Sequence, residues 1–116
     1  MDAPVVYVVR YWVSPDAEQA LIGWIDGGHL QEVVDQPGFL WGQRLTLDDK
    51  NEDGWQGYLN LYGMESREAF EAYQNSDIQP KFQQEAARFT DHMRIDRGLA
   101  ELGLTVTTAG PAETAA

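Results

Sequence analysis

One histidine stands where it could do proton chemistry. Leu21, Ile25 and His29 recur four residues apart, so a helix running on through Gly27 and Gly28 would turn the imidazole to the same side as two apolar residues. A neutral imidazole is the side chain best suited to take and return a proton near neutral pH. The other reading of His29 is a histidine that closes a helix end by bonding its carbonyls, or that hydrogen-bonds within the core. Asp26, three residues earlier, either orients that imidazole and stabilises its protonated form or is a solvated acid at a kinked helix end, which is the favoured expectation. His92, the only other histidine, lies beside Asp91 on the approach to a strand and reads first as a structural or exposed side chain.

A second set of groups could manage charge on oxygen. Tyr58, Asn60 and Tyr62 alternate with Leu59 and Leu61, which puts three hydrogen-bonding side chains in line on one side of a strand. Asn60 or a tyrosine hydroxyl could hold a phenolate or enolate oxygen as charge develops on it. Equally, the row could meet Arg10 and Arg44 across a subunit interface, and the expectation leans to the interface. Asp49 to Gly54 matches the first half of a calcium loop, D-x-N-x-D-G. A twelve-residue loop would end at Asn60 where a bidentate glutamate is needed, and strands flank it where helices are required. It reads as a solvated hairpin tip, and no metal site is expected.

The elements that must position these groups follow from periodicity. Val5 to Val13 (VVYVVRYWV) is β-branched and aromatic, too short for a stable helix and suited to a strand covered on both faces. Ser14-Pro15-Asp16 reads as N-cap, first helical proline and first-turn acid. Ala17, Ala20, Leu21, Trp24 and Ile25 then make an apolar stripe that Gly27-Gly28 should break or kink. Leu30, Val33 and Val34 suggest further turns before Pro37-Gly38. Phe39 to Leu47 and Trp55 to Met64 form a hairpin around an acidic turn. Ser66 caps a second helix, interrupted by Asn75-Ser76-Asp77 and Pro80 and resumed at Phe82, Ala86 and Phe89. Met93 to Leu102 is the fourth strand, giving βαββαβ. Residues 1–104 form the domain, and 105–116 read as a small polar tail that packs on a partner or stays mobile.

Composition narrows the classes. The chain has 116 residues, no cysteine, 8 Lys+Arg against 19 Asp+Glu and a formal charge of −11, with 43% hydrophobic and 11% aromatic residues. One folded domain is expected at this length. The acidic balance argues against nucleic acid and anionic membranes, and without cysteine there is no disulfide, thiolate nucleophile or Cys-ligated metal. Met1-Asp2-Ala3-Pro4 carries an acid where a signal peptide needs a basic region, and no apolar run reaches the length of a membrane span. A cytoplasmic location is the expectation. No glycine-rich phosphate loop or nucleotide fingerprint occurs, so no cofactor is expected.

The element order, with PGF opening the second strand and Trp24 followed by His29 in a W-x-x-x-x-H pattern, resembles the dimeric α/β barrel superfamily, within it the EthD-like and related uncharacterised branches. The resemblance covers about residues 4 to 102. It implies an α+β, ferredoxin-like fold: a four-stranded antiparallel sheet with helices on one face, a pocket between them, and a homodimer closed sheet to sheet. Val6, Val8 and Trp12 on one face of the first strand give dimerisation a motive of its own, because that face needs a cover. By the same resemblance Tyr7 and Tyr11 face the helices. With Trp24, Ile25, Phe82 and a ring from Phe39 or Trp41 they would line an aromatic pocket, unless these rings simply fill the core. Aligned to plant polyketide cyclases of this type, Tyr73 falls where their active-site tyrosine lies. Gln79 stands where their catalytic histidine would, which argues against an identical mechanism.

The superfamily holds cofactor-free monooxygenases, cyclases, isomerases and binding proteins, so fold does not fix function. The leading expectation is a small cofactor-independent enzyme that moves a proton on a hydrophobic, aromatic or polyketide-like molecule, in an isomerase, cyclase or lyase reaction. His29 is its base, and Tyr73, Tyr7 or Asn60 holds the charged oxygen. The alternatives are a cofactor-free monooxygenase of a phenolic substrate and a non-catalytic ligand-binding dimer.

Overall fold

The protein is described by a computed structural model over residues 2–111. Strand β1 (Val5–Val13) leads into α1 (Pro15–Trp24), a π-helical turn (Ile25–His29) and α2 (Leu30–Val34). The hairpin β2 (Phe39–Lys50) and β3 (Gln56–Met64) follows, then α3 (Arg67–Gln74), α4 (Ile78–Ala86), a 3-10 turn (Ala87–His92) and β4 (Met93–Glu101). The strands form one antiparallel sheet in the order β2-β3-β1-β4. This is the expected α+β, ferredoxin-like arrangement. No helix among the described residues is long and apolar enough to cross a membrane.

Register decides what faces the helices. β1 pairs Tyr7 with Tyr62, Val9 with Asn60 and Tyr11 with Tyr58 on one side, and Tyr7 with Leu99, Val9 with Arg97 and Tyr11 with Ile95 on the other. Residues directly opposite share a face, so the row Tyr58, Asn60 and Tyr62 lies on the helix side with Tyr7 and Tyr11. The interface expectation for that row is therefore corrected: alternation within a strand shows which residues go together, but only cross-strand pairing shows where they go. Val5, Val9, Tyr11, Val13, Tyr58, Tyr62 and Met64 are buried there against Ala17, Leu21, Ile25, Val33, Tyr73, Phe82 and Phe89.

The opposite face carries Val6, Val8, Trp12, Trp41, Leu59 and Leu61, half-buried and outside that core. Trp41 pairs with Gly63, and its ring occupies the space a side chain would need: a Cβ at Gly63 would come within 2.3 Å of it. Its indole nitrogen is buried without a hydrogen-bond partner. Trp41 was expected in the pocket; the bulge between Phe39 and Trp41 sets Phe39 opposite Met64 on the helix side and Trp41 on the other.

Local signals explain most element ends. The Ser66 side chain accepts from the Ala69 amide at 3.0 Å, capping α3. Pro80 sits in the first turn of α4, where its missing N–H is not required. Ser14 makes no side-chain cap; its hydroxyl meets His92 Nδ1 at 3.0 Å. In the hairpin tip Asn51 Oδ1 accepts from the amides of Asp53 and Trp55, so this segment is held by its own backbone. Within the tail, Val106–Thr107 (β5) and Gly110–Pro111 (β6) form a small antiparallel hairpin; residues 112–116 lie outside the described residues.

Gly38 lets β2 enter beside α3. Its φ of 89° lies in the left-handed region, and a Cβ there would meet the Ala69 Cβ at 2.6 Å. Gly38→Ala is expected to cost at least about 2 kcal/mol, combining backbone strain with overpacking. Urea denaturation measures it, and an unchanged midpoint would contradict this account of the turn.

Candidate active site

Between the helix-facing side of the sheet and the helices lies a cavity of about 120 Å³. From the sheet it is lined by Tyr7, Val9, Tyr11, Asn60, Tyr62, Met93, Ile95 and Arg97, and from the first helical segment by Leu21, Trp24, Ile25, His29 and Val33. Tyr73, Gln79, Phe82, Gln83 and Ala86 close it from α3 and α4. A cavity of about 150 Å³ holds one benzene, so this space is on the scale of a single ring.

His29 reaches the cavity through a break in its helix. The backbone leaves helical geometry at Gly28 (φ 161°, ψ −27°), and the Leu30 amide bonds to the Ile25 carbonyl five residues back. The glycine pair thus kinks the helix without ending it, and the wide turn keeps both Ile25 and His29 on the cavity side. The imidazole lies flat on the Trp24 indole, centroids 3.9 Å apart and planes 15° from parallel. It meets the edge of Phe82 at 4.9 Å. Nδ1 is buried without a hydrogen-bond partner.

These surroundings hold His29 neutral. Burial lowers its pKa from 6.5 to about 4; Glu32 pulls it up and Lys81 pushes it down by smaller amounts. An imidazolium needs a partner for both N–H groups, and among aromatic rings Nδ1 has none.

The tyrosines form a directed network. The Tyr11 hydroxyl donates to Asn60 Oδ1 at 2.8 Å, which turns the amide so that Nδ2 donates to the Tyr62 oxygen at 3.2 Å. Tyr62 thus accepts from the protein and keeps its own proton to give; it has no acceptor among the described residues. Burial pushes the Tyr62 pKa up to about 12 and raises those of Tyr11 and Tyr73 as well. Burial also raises that of Tyr7, with Arg97 pulling the other way. All four hydroxyls stay protonated at neutral pH and can donate.

Of the residues singled out in the sequence, His29, Tyr73, Asn60, Tyr7, Tyr11, Trp24, Ile25 and Phe82 line this one cavity. Asp26 does not: both its oxygens are held by Arg44, at 2.6 and 2.9 Å. The wide turn points it outward, so Asp26 does not orient the imidazole. His92 is also elsewhere, tied to Ser14 by side chain and by its carbonyl, which accepts the Ser14 amide at 2.9 Å. Four polar lining residues, Tyr62, Gln79, Gln83 and Arg97, lie outside the expected site residues. Tyr62 was assigned with its row to the other face. Gln79 was noted only as a departure from the cyclases. Arg97 breaks an apolar alternation, Met93, Ile95, Leu99, and that interruption is the signal that could have found it.

The pH dependence of stability follows from His29. Between pH 6.5 and about 4 the unfolded chain binds this proton and the folded protein does not, so the contribution is complete above 6.5 and declines as pH falls. Across that window wild type is expected to lose about 1–3 kcal/mol more than His29→Gln. Urea titrations of both proteins at several pH values check it; parallel losses would contradict the neutral, buried imidazole.

Among the described residues no cluster of three or more His, Cys, Asp or Glu could hold a metal ion. No curated protein sequence matches the chain. Solved structures share the fold. SnoaB from Streptomyces nogalater, a cofactor-independent oxygenase, is 21% identical over 87% of this chain and 94% of its own, with a TM-score of 0.58. An ethyl tert-butyl ether degradation (EthD) family protein from Bacillus halodurans C-125 is 15% identical over 84% and 99%, TM-score 0.62. A dimeric ferredoxin-like protein from an uncultured marine organism is 14% identical over 88% and 96%, TM-score 0.59. At these identities the likeness concerns the fold. Residues 4–102 match the model of a family described as a domain of unknown function (DUF4286), and the chain belongs to that family.

Proposed function

We propose that this protein is a cofactor-independent enzyme that removes a proton from a small ring-bearing molecule held in the cavity. The observation that carries this reading is the placing of a neutral imidazole and several protonated tyrosine hydroxyls around one ring-sized space. His29 Nε2 takes the proton, and Tyr62, oriented through Asn60 and Tyr11, donates to the oxygen that becomes charged. Tyr73 and Tyr7 stand beside it as further donors. A resting pKa of about 4 makes His29 a weak base alone. A substrate oxyanion forming beside it in a dry cavity stabilises the imidazolium and raises that value as the proton moves. Base strength is thus coupled to the reaction.

What happens next distinguishes an oxygenase from an isomerase, cyclase or lyase. The structural likeness to a cofactor-independent oxygenase favours reaction of the electron-rich anion with dioxygen. In that reaction a substrate CH₂ becomes a carbonyl. One oxygen atom enters the product, and the other leaves as water with the two hydrogens lost from carbon. A homodimer closed through the face bearing Trp12, Trp41 and Leu61 covers the apolar side of the sheet, and one fold neighbour is described as dimeric; a monomeric mass in solution contradicts it.

An oxygen electrode and mass spectrometry on a panel of single-ring phenols and 1,3-diketones test the reading. Oxygen uptake with a gain of 14 mass units, roughly the CH₂-to-carbonyl change, is expected. His29→Gln should lose about 10²–10⁴-fold in kcat/KM, and Tyr62→Phe about 10²-fold. A product of unchanged mass would move the assignment to an isomerase, and full activity in His29→Gln would overturn the role of the base.

A further inference from the structure

The cavity inverts the charge of the protein around it. The chain carries 19 acidic residues against 8 Lys+Arg, yet no Asp or Glu lines the cavity and one arginine, Arg97, does. Most other cations are engaged: Arg10 with Asp49, Arg44 with Asp26, Arg67 with Glu101 and Lys81 with Glu32. Arg88 lies over Trp24 and Phe89, and Arg94 over Trp55. Arg97 has no carboxylate partner among the described residues.

Its place is built into the sheet. Arg97 pairs with Val9, and Val9 pairs with Asn60, so guanidinium, small side chain and oriented amide run in one row across the helix-facing side. Tyr7 and Tyr62 form the adjacent row. The other members of this face of β4 are Met93, Ile95 and Leu99, packed against the core, and at its far end Glu101, which is held by Arg67 and does not line the cavity. Core packing does not call for arginine here. Arg97 is exposed yet lines the cavity, and its side chain hydrogen-bonds the Tyr7 hydroxyl, so the guanidinium keeps further N–H donors for a ligand.

We propose that Arg97 is an anion-binding residue and that the cavity takes a small aromatic carboxylate, with the ring among the aromatic walls and the carboxylate on the guanidinium. The planar fork of an arginine matches a carboxylate with two parallel hydrogen bonds, and the volume of about 120 Å³ admits a single ring. Absence of acidic residues from the lining removes the repulsion that the rest of this surface imposes on an anion. The inference rests on the cavity being a ligand site, as proposed above, and not on any reaction taking place there.

Benzoate and its neutral isostere benzamide are the probes, titrated by calorimetry and by amide chemical-shift mapping. Wild type is expected to prefer benzoate by about 10-fold or more, with shifts at Val9, Asn60 and Arg97. Arg97→Gln should abolish the preference, Arg97→Lys should keep part of it, and Arg67→Gln, on an arginine outside the cavity, should leave it intact. Equal affinity for the two probes, a preference that survives Arg97→Gln, or no binding of benzoate at millimolar concentration overturns the proposal. The readout needs no turnover: a protein that binds benzoate through Arg97 but transforms no substrate would fail the catalytic reading and support this one.

Discussion

The buried amide of Asn60 constrains the rest of the structure. It lies in the middle of a sheet face among apolar and aromatic side chains, and an amide left unsatisfied there would cost about 1–3 kcal/mol. Tyr11 donates to its oxygen and Tyr62 accepts from its nitrogen. Both contacts require β1 and β3 to be in the observed register, with Val9 opposite Asn60. A slip of β3 by one residue would turn Tyr58, Asn60 and Tyr62 to the opposite face, away from Tyr11 on β1, and bring Leu59 and Leu61 inward. The same pairing therefore specifies the sheet and sets Tyr62 in the cavity wall.

The helical layer adds a complementary group. A helix that ended at Gly27-Gly28 would leave His29 on a loop in water, and a regular one would carry it round by a different angle. The wide turn from Ile25 to His29 seats the imidazole on Trp24 and beside Phe82, with Asp26 turned away from it. Desolvation then keeps it neutral, and neutrality leaves Nε2 able to accept a proton. Asp26, turned outward by the same bend, joins Arg44 in a half-exposed ion pair whose effect on stability is small.

Much of this was legible in the residues. Strand β1 follows from VVYVVRYWV to the residue, because β-branched and aromatic side chains over nine positions suit only a covered strand. The break at Gly27-Gly28 and the role of Ser66 follow from backbone chemistry that acts locally. What was not legible is long-range. Alternation showed that Tyr58, Asn60 and Tyr62 share a side but not which side, because that depends on pairing with β1. A bulge after Phe39 moved Trp41 to the open face, and bulges leave little trace in composition. His29 was recognisable by type, whereas its separation from Asp26 depends on a turn whose width no spacing rule supplies.

Cavity and chain thus oppose each other in charge: an acidic protein surrounds an aromatic-lined cavity with one neutral histidine, one arginine and no carboxylate in its wall. The most direct test of this account is the titration of His29 itself, followed through its imidazole ¹⁵N and ¹³C shifts, with His29→Gln for assignment. The account requires a pKa near 4 in the empty protein and a rise when a phenolic ligand places its oxygen beside the ring. A His29 that titrates near its ordinary 6.5 and ignores such ligands would mean that the imidazole is solvated, and the cavity would then lose its base.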